Sequence, residues 1–164
     1  MLLLHNPLFD PIDQQPPPDS DDSESAPGDM RATCQPPGSD QLLAKIIQDN
    51  PGLLSLDLSH CGHLTDEGLL SLHRLSNLVQ LSLAHCDSFI LDDFQFVVRL
   101  GKLKWLDLSY CSCFVNSIDG SLSGINELRR LQCLNLNGLF DLTDDALVNC
   151  SQIPTLEAIS LWDS

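Results

Sequence analysis

A nine-residue pattern of leucines recurs along this chain at nearly constant steps, and that recurrence restricts its fold more than any other feature. The first copy reads Leu53-x-x-Leu56-x-Leu58-x-x-Cys61. It returns as Leu78-x-x-Leu81-x-Leu83-x-x-Cys86, as Leu103-x-x-Leu106-x-Leu108-x-x-Cys111 and as Leu131-x-x-Leu134-x-Leu136-x-x-Leu139. A fifth copy begins at Leu156, continues through Ile159 and Leu161, and stops at Ser164; the steps are 25, 25, 28 and 25 residues. Within each copy Leu-x-Leu has the period of a strand with one buried face. Between copies the apolar spacing becomes helical, as in Leu64, Leu69, Leu72 and Leu75 with Thr65 or Asp66 as cap, and in Phe89, Phe94, Val97 and Leu100.

These alternating periods predict an α/β chain with one strand per repeat, stacked into a parallel sheet at about 4.8 Å spacing. Leu56 with Leu58, Leu81 with Leu83, Leu106 with Leu108 and Leu134 with Leu136 are expected to point inward. Ahead of the repeats, residues 39–52 are expected to form a helix that leads into them. Ser39 or Asp40 caps it, Leu42, Leu43, Ile46 and Ile47 form its apolar face, and Pro51 ends it. The three extra residues of the long step are expected between Cys111 and Leu131. Repeats 53–164 end without a polar cap over Ile159 and Leu161. The expectation is a truncated array of about four and a half repeats; an edge covered by another chain is the alternative.

Residues 1–38 differ in character. Up to Asp40 the chain holds eight of its ten prolines, eight acidic residues and a single base, Arg31. Such a stretch buries too little apolar surface to offset chain entropy, so a disordered acidic, proline-rich tail is expected. It serves either as a solvated spacer or as a docking peptide tuned by phosphorylation at Ser20, Ser23 or Ser25. The net charge of −15 argues against a nucleic-acid partner and against an anionic membrane surface. The start, Met1-Leu2-Leu3-Leu4-His5, lacks the basic n-region and apolar length of a secretory signal, and no window reaches the length of a membrane span. Seven scattered cysteines in a chain of this size fit reduced thiols, hence a cytoplasmic or nuclear location.

The pattern resembles the leucine-rich repeat family, whose repeats of 20–29 residues carry an L-x-x-L-x-L-x-x-N/C signature. The resemblance covers residues 53–164. It implies a solenoid: a right-handed β-α superhelix with its parallel sheet on the concave face. Cysteine at the ninth position, with Leu64-Thr65-Asp66-Glu67-Gly68-Leu69 and Leu142-Thr143-Asp144-Asp145-Ala146-Leu147, points to the cysteine-containing subclass. That subclass is best known from F-box/leucine-rich-repeat proteins, the substrate receptors of cullin-type ubiquitin ligases. Residues 1–40 contain no leucine-rich helical stretch resembling an F-box. Cysteine-type repeats are also similar to those of small assembly factors without one.

Outward-facing positions of the strands supply the candidate binding residues. Both tryptophans, Trp105 and Trp162, and the single tyrosine, Tyr110, fall there, beside Asp57, His60, Gln80, His85 and Asp107. Aromatic residues bury large areas and dominate binding hot spots. His60, His85 and Tyr110 share one position in successive repeats, so stacking brings them together at one rim. Cysteines Cys61, Cys86, Cys111 and Cys113 beside His60, His63 and His85 admit a metal reading. Their spacing lacks paired zinc-ligand motifs, however, and a buried structural thiol explains a ladder at the repeat period. No phosphate loop, nucleophile elbow or H-E-x-x-H is present. The sequence therefore predicts a protein-binding module without catalysis, cofactor or metal, recognising a partner that carries Lys or Arg with an apolar anchor. The resemblance implies the receptor half of a ubiquitin ligase, with ligase subunits engaged through a segment absent here; a stand-alone scaffold or assembly factor is the alternative.

Overall fold

A computed structural model describes residues 29–31, 39–86, 95–111, 122–140 and 142–163. The chain is α/β, with one six-stranded parallel sheet whose strands follow chain order and which, among the described residues, does not close on itself. The strands are β1 (Asp29–Arg31), β2 (Ser55–Asp57), β3 (Gln80–Ser82), β4 (Trp105–Asp107), β5 (Cys133–Asn135) and β6 (Ala158–Ser160). Repeat spacing sets the register: Leu56 aligns with Leu81, Leu81 with Leu106, Leu106 with Leu134 and Leu134 with Ile159. The 28-residue step leaves that register intact; residues 112–121 of that step, Cys113 among them, like Phe89, Phe94, Ser20, Ser23 and Ser25, lie outside the described residues.

Helices α1 (Ser39–Asp49), α2 (Asp66–Leu70), α3 (Gln95–Val98) and α4 (Asp144–Ser151), with 3-10 turns at Ser71–Arg74 and Ile125–Glu127, form the second layer. The core between the layers consists of the repeated leucines. Every strand leucine expected inside is buried, as are Leu64, Leu69, Leu72, Leu75, Val97 and Leu100. Among the described residues no helix is long and apolar enough to cross a membrane.

Two local devices differ from the sequence reading. Asp40 lies inside the first turn of α1 and bridges to the start of α2: its carboxylate accepts from the Thr65 N–H at 3.0 Å and from the Thr65 hydroxyl at 2.6 Å. Thr65 caps α2, its hydroxyl oxygen accepting from the Gly68 N–H. Gly68 has no side chain because a Cβ there would stand 2.2 Å from Asp40 Oδ1. The second difference is β1, three residues inside the stretch 1–38 expected as a tail, which pairs in register with β2. An edge strand needs only backbone groups to extend a sheet, so the polar, proline-rich composition around it gave no strand signal.

Candidate protein-binding face

The strand residues that alternate with the buried leucines form one outer face. Asp57 aligns with Ser82, Ser82 with Asp107 and Asp107 with Asn135; Gln80 aligns with Trp105, and Trp105 with Cys133. Trp105 is half-buried, and Gln80 is exposed. Not every outward position is open. Ser82, Ala84, Ser109 and Cys133 are buried, although the alternation places them outside. Ser82 is tied to Ser59 through a hydroxyl–hydroxyl hydrogen bond of 2.7 Å. Cys133 aligns with Trp105 of the preceding strand.

At the carboxyl end of the strands the chain turns, and the turn explains the acidic column. Asp57 Oδ1 accepts from the Ser59 N–H at 2.9 Å, and Asp107 Oδ1 accepts from the Ser109 N–H at 2.9 Å. Asn135 Oδ1 does the same for the Asn137 N–H at 3.1 Å. This is the local side-chain-to-backbone bond that Asp and Asn share. Asp57 and Asp107 therefore each commit one oxygen to shaping the turn and keep a carboxylate charge on the half-buried rim.

The residue after that turn adopts left-handed backbone in every repeat: His60 (φ 62°), His85 (φ 56°), Tyr110 (φ 54°), Gly138 (φ 70°) and Asp163 (φ 54°). For a residue with a Cβ this conformation costs about 1–2 kcal/mol. Backbone bonds hold it, with the His60, His85 and Tyr110 N–H groups donating to Ala84, Ser109 and Asn137 carbonyls at 2.8, 2.9 and 2.7 Å. The common conformation aims successive rings the same way. The His60 and His85 rings stack at 4.5 Å and 7°, and the His85 and Tyr110 rings at 4.8 Å and 5°. Sequence reasoning found this column without its backbone requirement; the glycine at position 138 of the same column was the available signal.

The candidate residues thus form separate groups. His60, His85 and Tyr110 are one exposed ring stack on the rim. Gln80, Trp105, Asp57 and Asp107 lie on the strands, with Trp105 opening β4 and Tyr110 in the turn that follows it. Trp162 belongs to neither group: it lies two repeats beyond Trp105, 70% exposed, with its N–H donating to Asn137 Oδ1 at 2.7 Å. His73, Arg129 and Arg130 are exposed.

Among the described residues the ninth-position cysteines Cys61, Cys86 and Cys111 are buried, as are Cys133 and Cys150. The Cys86 thiol donates to the Leu58 carbonyl at 3.1 Å and the Cys111 thiol to the Leu83 carbonyl at 2.9 Å, each reaching one repeat back. Burial raises the Cys150 thiol to about 11. Burial, and then the nearby Glu157 charge, also raise that of Cys133. Among the described residues no three His, Cys, Asp or Glu side chains gather as metal ligands. No protein-family model matches this chain, and no curated protein matches it.

Proposed function

We propose that this chain is a protein-recognition module: a leucine-rich repeat solenoid whose concave sheet face holds a segment of a partner protein. One observation carries the reading. Trp105 is only half-buried on the open sheet face, aligned with Gln80 and beside the Asp107 turn. An indole in that place contributes most when another surface covers it. Asp57 and Asp107 add negative potential, so the fitting partner presents an apolar anchor flanked by Lys or Arg. The His60–His85–Tyr110 stack forms a rigid rim that such a segment would meet on leaving the face, and Trp162 would extend the contact at the far end. Neither cofactor nor catalysis is part of this reading.

The cysteine at the ninth repeat position supports a narrower form. In it the chain is the substrate-recognition part of an SCF-type F-box/leucine-rich-repeat ubiquitin ligase, acting in ubiquitin-dependent protein catabolism in the cytoplasm or nucleus. Ubiquitin transfer belongs to associated subunits. A second reading is a stand-alone leucine-rich repeat scaffold or assembly factor without a ubiquitin role, which would use the same face. Affinity capture of the endogenous protein, reading its intact mass and its companions, tests both. Cullin and its adaptor among the companions support the ligase receptor; a mass near 18.1 kDa without them supports the scaffold. Capture unchanged by Trp105→Ala sinks the concave-face assignment common to both.

A further inference from the structure

Six of the eight Lys and Arg residues in this acidic chain sit at one end of the sheet. They lie in the segments that lead into β3, β4 and β5: Arg74 in 74–79, Arg99, Lys102 and Lys104 in 99–104, and Arg129 and Arg130 in 127–132. One acid, Glu127, accompanies them, and all six bases are exposed. The repeat period brings them together. Arg74 and Arg99 stand four residues before Leu78 and Leu103, the first leucines of their repeats, and Lys102 and Arg130 stand directly before Leu103 and Leu131.

Hydrogen bonds hold these segments in register. Lys102 Nζ donates at 2.6 Å to Oδ1 of Asn77, its equivalent one repeat back. The Lys104 N–H donates to Val79 O and the Gln132 N–H to Lys104 O, each at 2.8 Å. Neighbouring strands are about 4.8 Å apart, so the six cations share one rim at the amino ends of three adjacent strands. Among the described residues none of the six forms an ion pair with a carboxylate. The carboxyl-end rim has the opposite sign, with Asp57 and Asp107 in the turns and Asp66, Glu67, Asp144 and Asp145 in the first turns of α2 and α4. Bases placed for solubility alone would be mixed among the 23 acids. Here they are segregated, at the cost of mutual repulsion.

We infer that the amino-end rim is a docking site for a short acidic segment of a partner protein, a run of three or four Asp or Glu side chains. Charge complementarity selects the sign of the occupant. Arg74, Arg99, Arg129 and Arg130 present planar forks, which suit carboxylates. The extent of the patch selects a short run. It is about 10 Å wide from β3 to β5. In the flanking repeats Asp49 takes the position of Arg74, and Glu157 that of Lys104, both exposed. A nucleic acid or an anionic membrane surface would extend over those acids and into the field of the remaining carboxylates. The site is distinct from the concave face, whose proposed partner is basic, and does not depend on a partner binding there.

Fluorescence anisotropy on the full chain tests the docking, with a labelled peptide carrying four consecutive glutamates as the probe and its glutamine counterpart as the control. The glutamate peptide is expected to bind at least tenfold more tightly than the control at about 10 mM salt, and to lose at least tenfold in affinity at about 150 mM. Arg99→Gln combined with Arg130→Gln is expected to weaken it at least tenfold with an unchanged circular dichroism spectrum. Arg31→Gln combined with Lys45→Gln removes as much charge elsewhere and is expected to change the affinity less than twofold, as is Trp105→Ala. Equal losses from the two pairs, or no binding at low salt, overturn the inference. So does tighter binding of an oligonucleotide or of phosphatidylserine vesicles. Binding seen only when Asp19→Asn, Asp21→Asn and Asp22→Asn are combined also overturns it, since the occupant would then be this chain's own acidic stretch.

Discussion

A side chain at position 138 would begin inside the Tyr110 ring: a Cβ on Gly138 would meet Tyr110 Cδ1 at 2.3 Å and Cε1 at 2.5 Å. The ring column that starts at His60 therefore ends on bare backbone. Gly138→Ala must displace a ring and also hold an alanine at φ +70°. Its expected cost is about 1–3 kcal/mol, read as a lowered urea midpoint. In a Tyr110→Ala background the collision is gone and only the backbone cost remains, so the two substitutions should be less than additive.

His85 lies between two rings, and its backbone is left-handed at φ 56°. These demands are separable. His85→Asn keeps a residue that tolerates the conformation and removes the stacking, so a loss of about 0.5–1.5 kcal/mol is expected. His85→Val removes the stacking and adds a β-branched side chain at positive φ, and should be distinctly worse. Equal melting temperatures for the two variants would show that the backbone makes no such demand.

Asp107 combines a turn-forming oxygen with a charge, and Asn135 in the next repeat shows that the turn needs only the oxygen. Asp107→Asn should leave the urea midpoint nearly unchanged, whereas Asp107→Ala should cost about 1 kcal/mol through the lost bond to the Ser109 N–H. On the concave-face reading, Asp107→Asn should also weaken a basic partner and flatten the salt dependence of its binding. An unchanged salt dependence would remove Asp107 from the recognition surface and leave it a turn residue alone.

What was legible in advance follows from which forces are periodic. Apolar burial repeats with the chain, so Leu56, Leu81, Leu106 and Leu134 could be placed inside, and in one register, from spacing alone. The rim aromatics were legible as a column for the same reason. Hydrogen bonds between non-equivalent residues were not. Asp40 looks like a cap for its own helix, and only the packing of α1 on α2 turns it toward Thr65. Alternation places Ser82 and Cys133 outside, but both are buried, and spacing does not report the neighbouring strand: Ser82 meets the Ser59 hydroxyl and Cys133 aligns with Trp105. β1 left no trace in composition because edge pairing uses backbone groups alone.

The buried thiols give a prediction with a definite sign. Cys150 is held as a neutral thiol by burial, its pKa raised from 9.0 to about 11, and that of Cys133 is raised as well. An unfolded chain releases these protons near the ordinary value, so above it the unfolded state binds fewer protons than the folded one. The contribution of Cys150 to stability is therefore fully present below pH 9 and is lost as pH rises through about 11. Urea midpoints should fall over that alkaline window, and Cys150→Ala should make the fall shallower. The thiolate is the nucleophile, so at neutral pH Cys150 should resist alkylation in the folded protein and react readily in urea. Rapid labelling of Cys150 in the folded protein, located by peptide mass, would mean that α4 opens far more often than a helix with Ala146 and Cys150 buried in the core should.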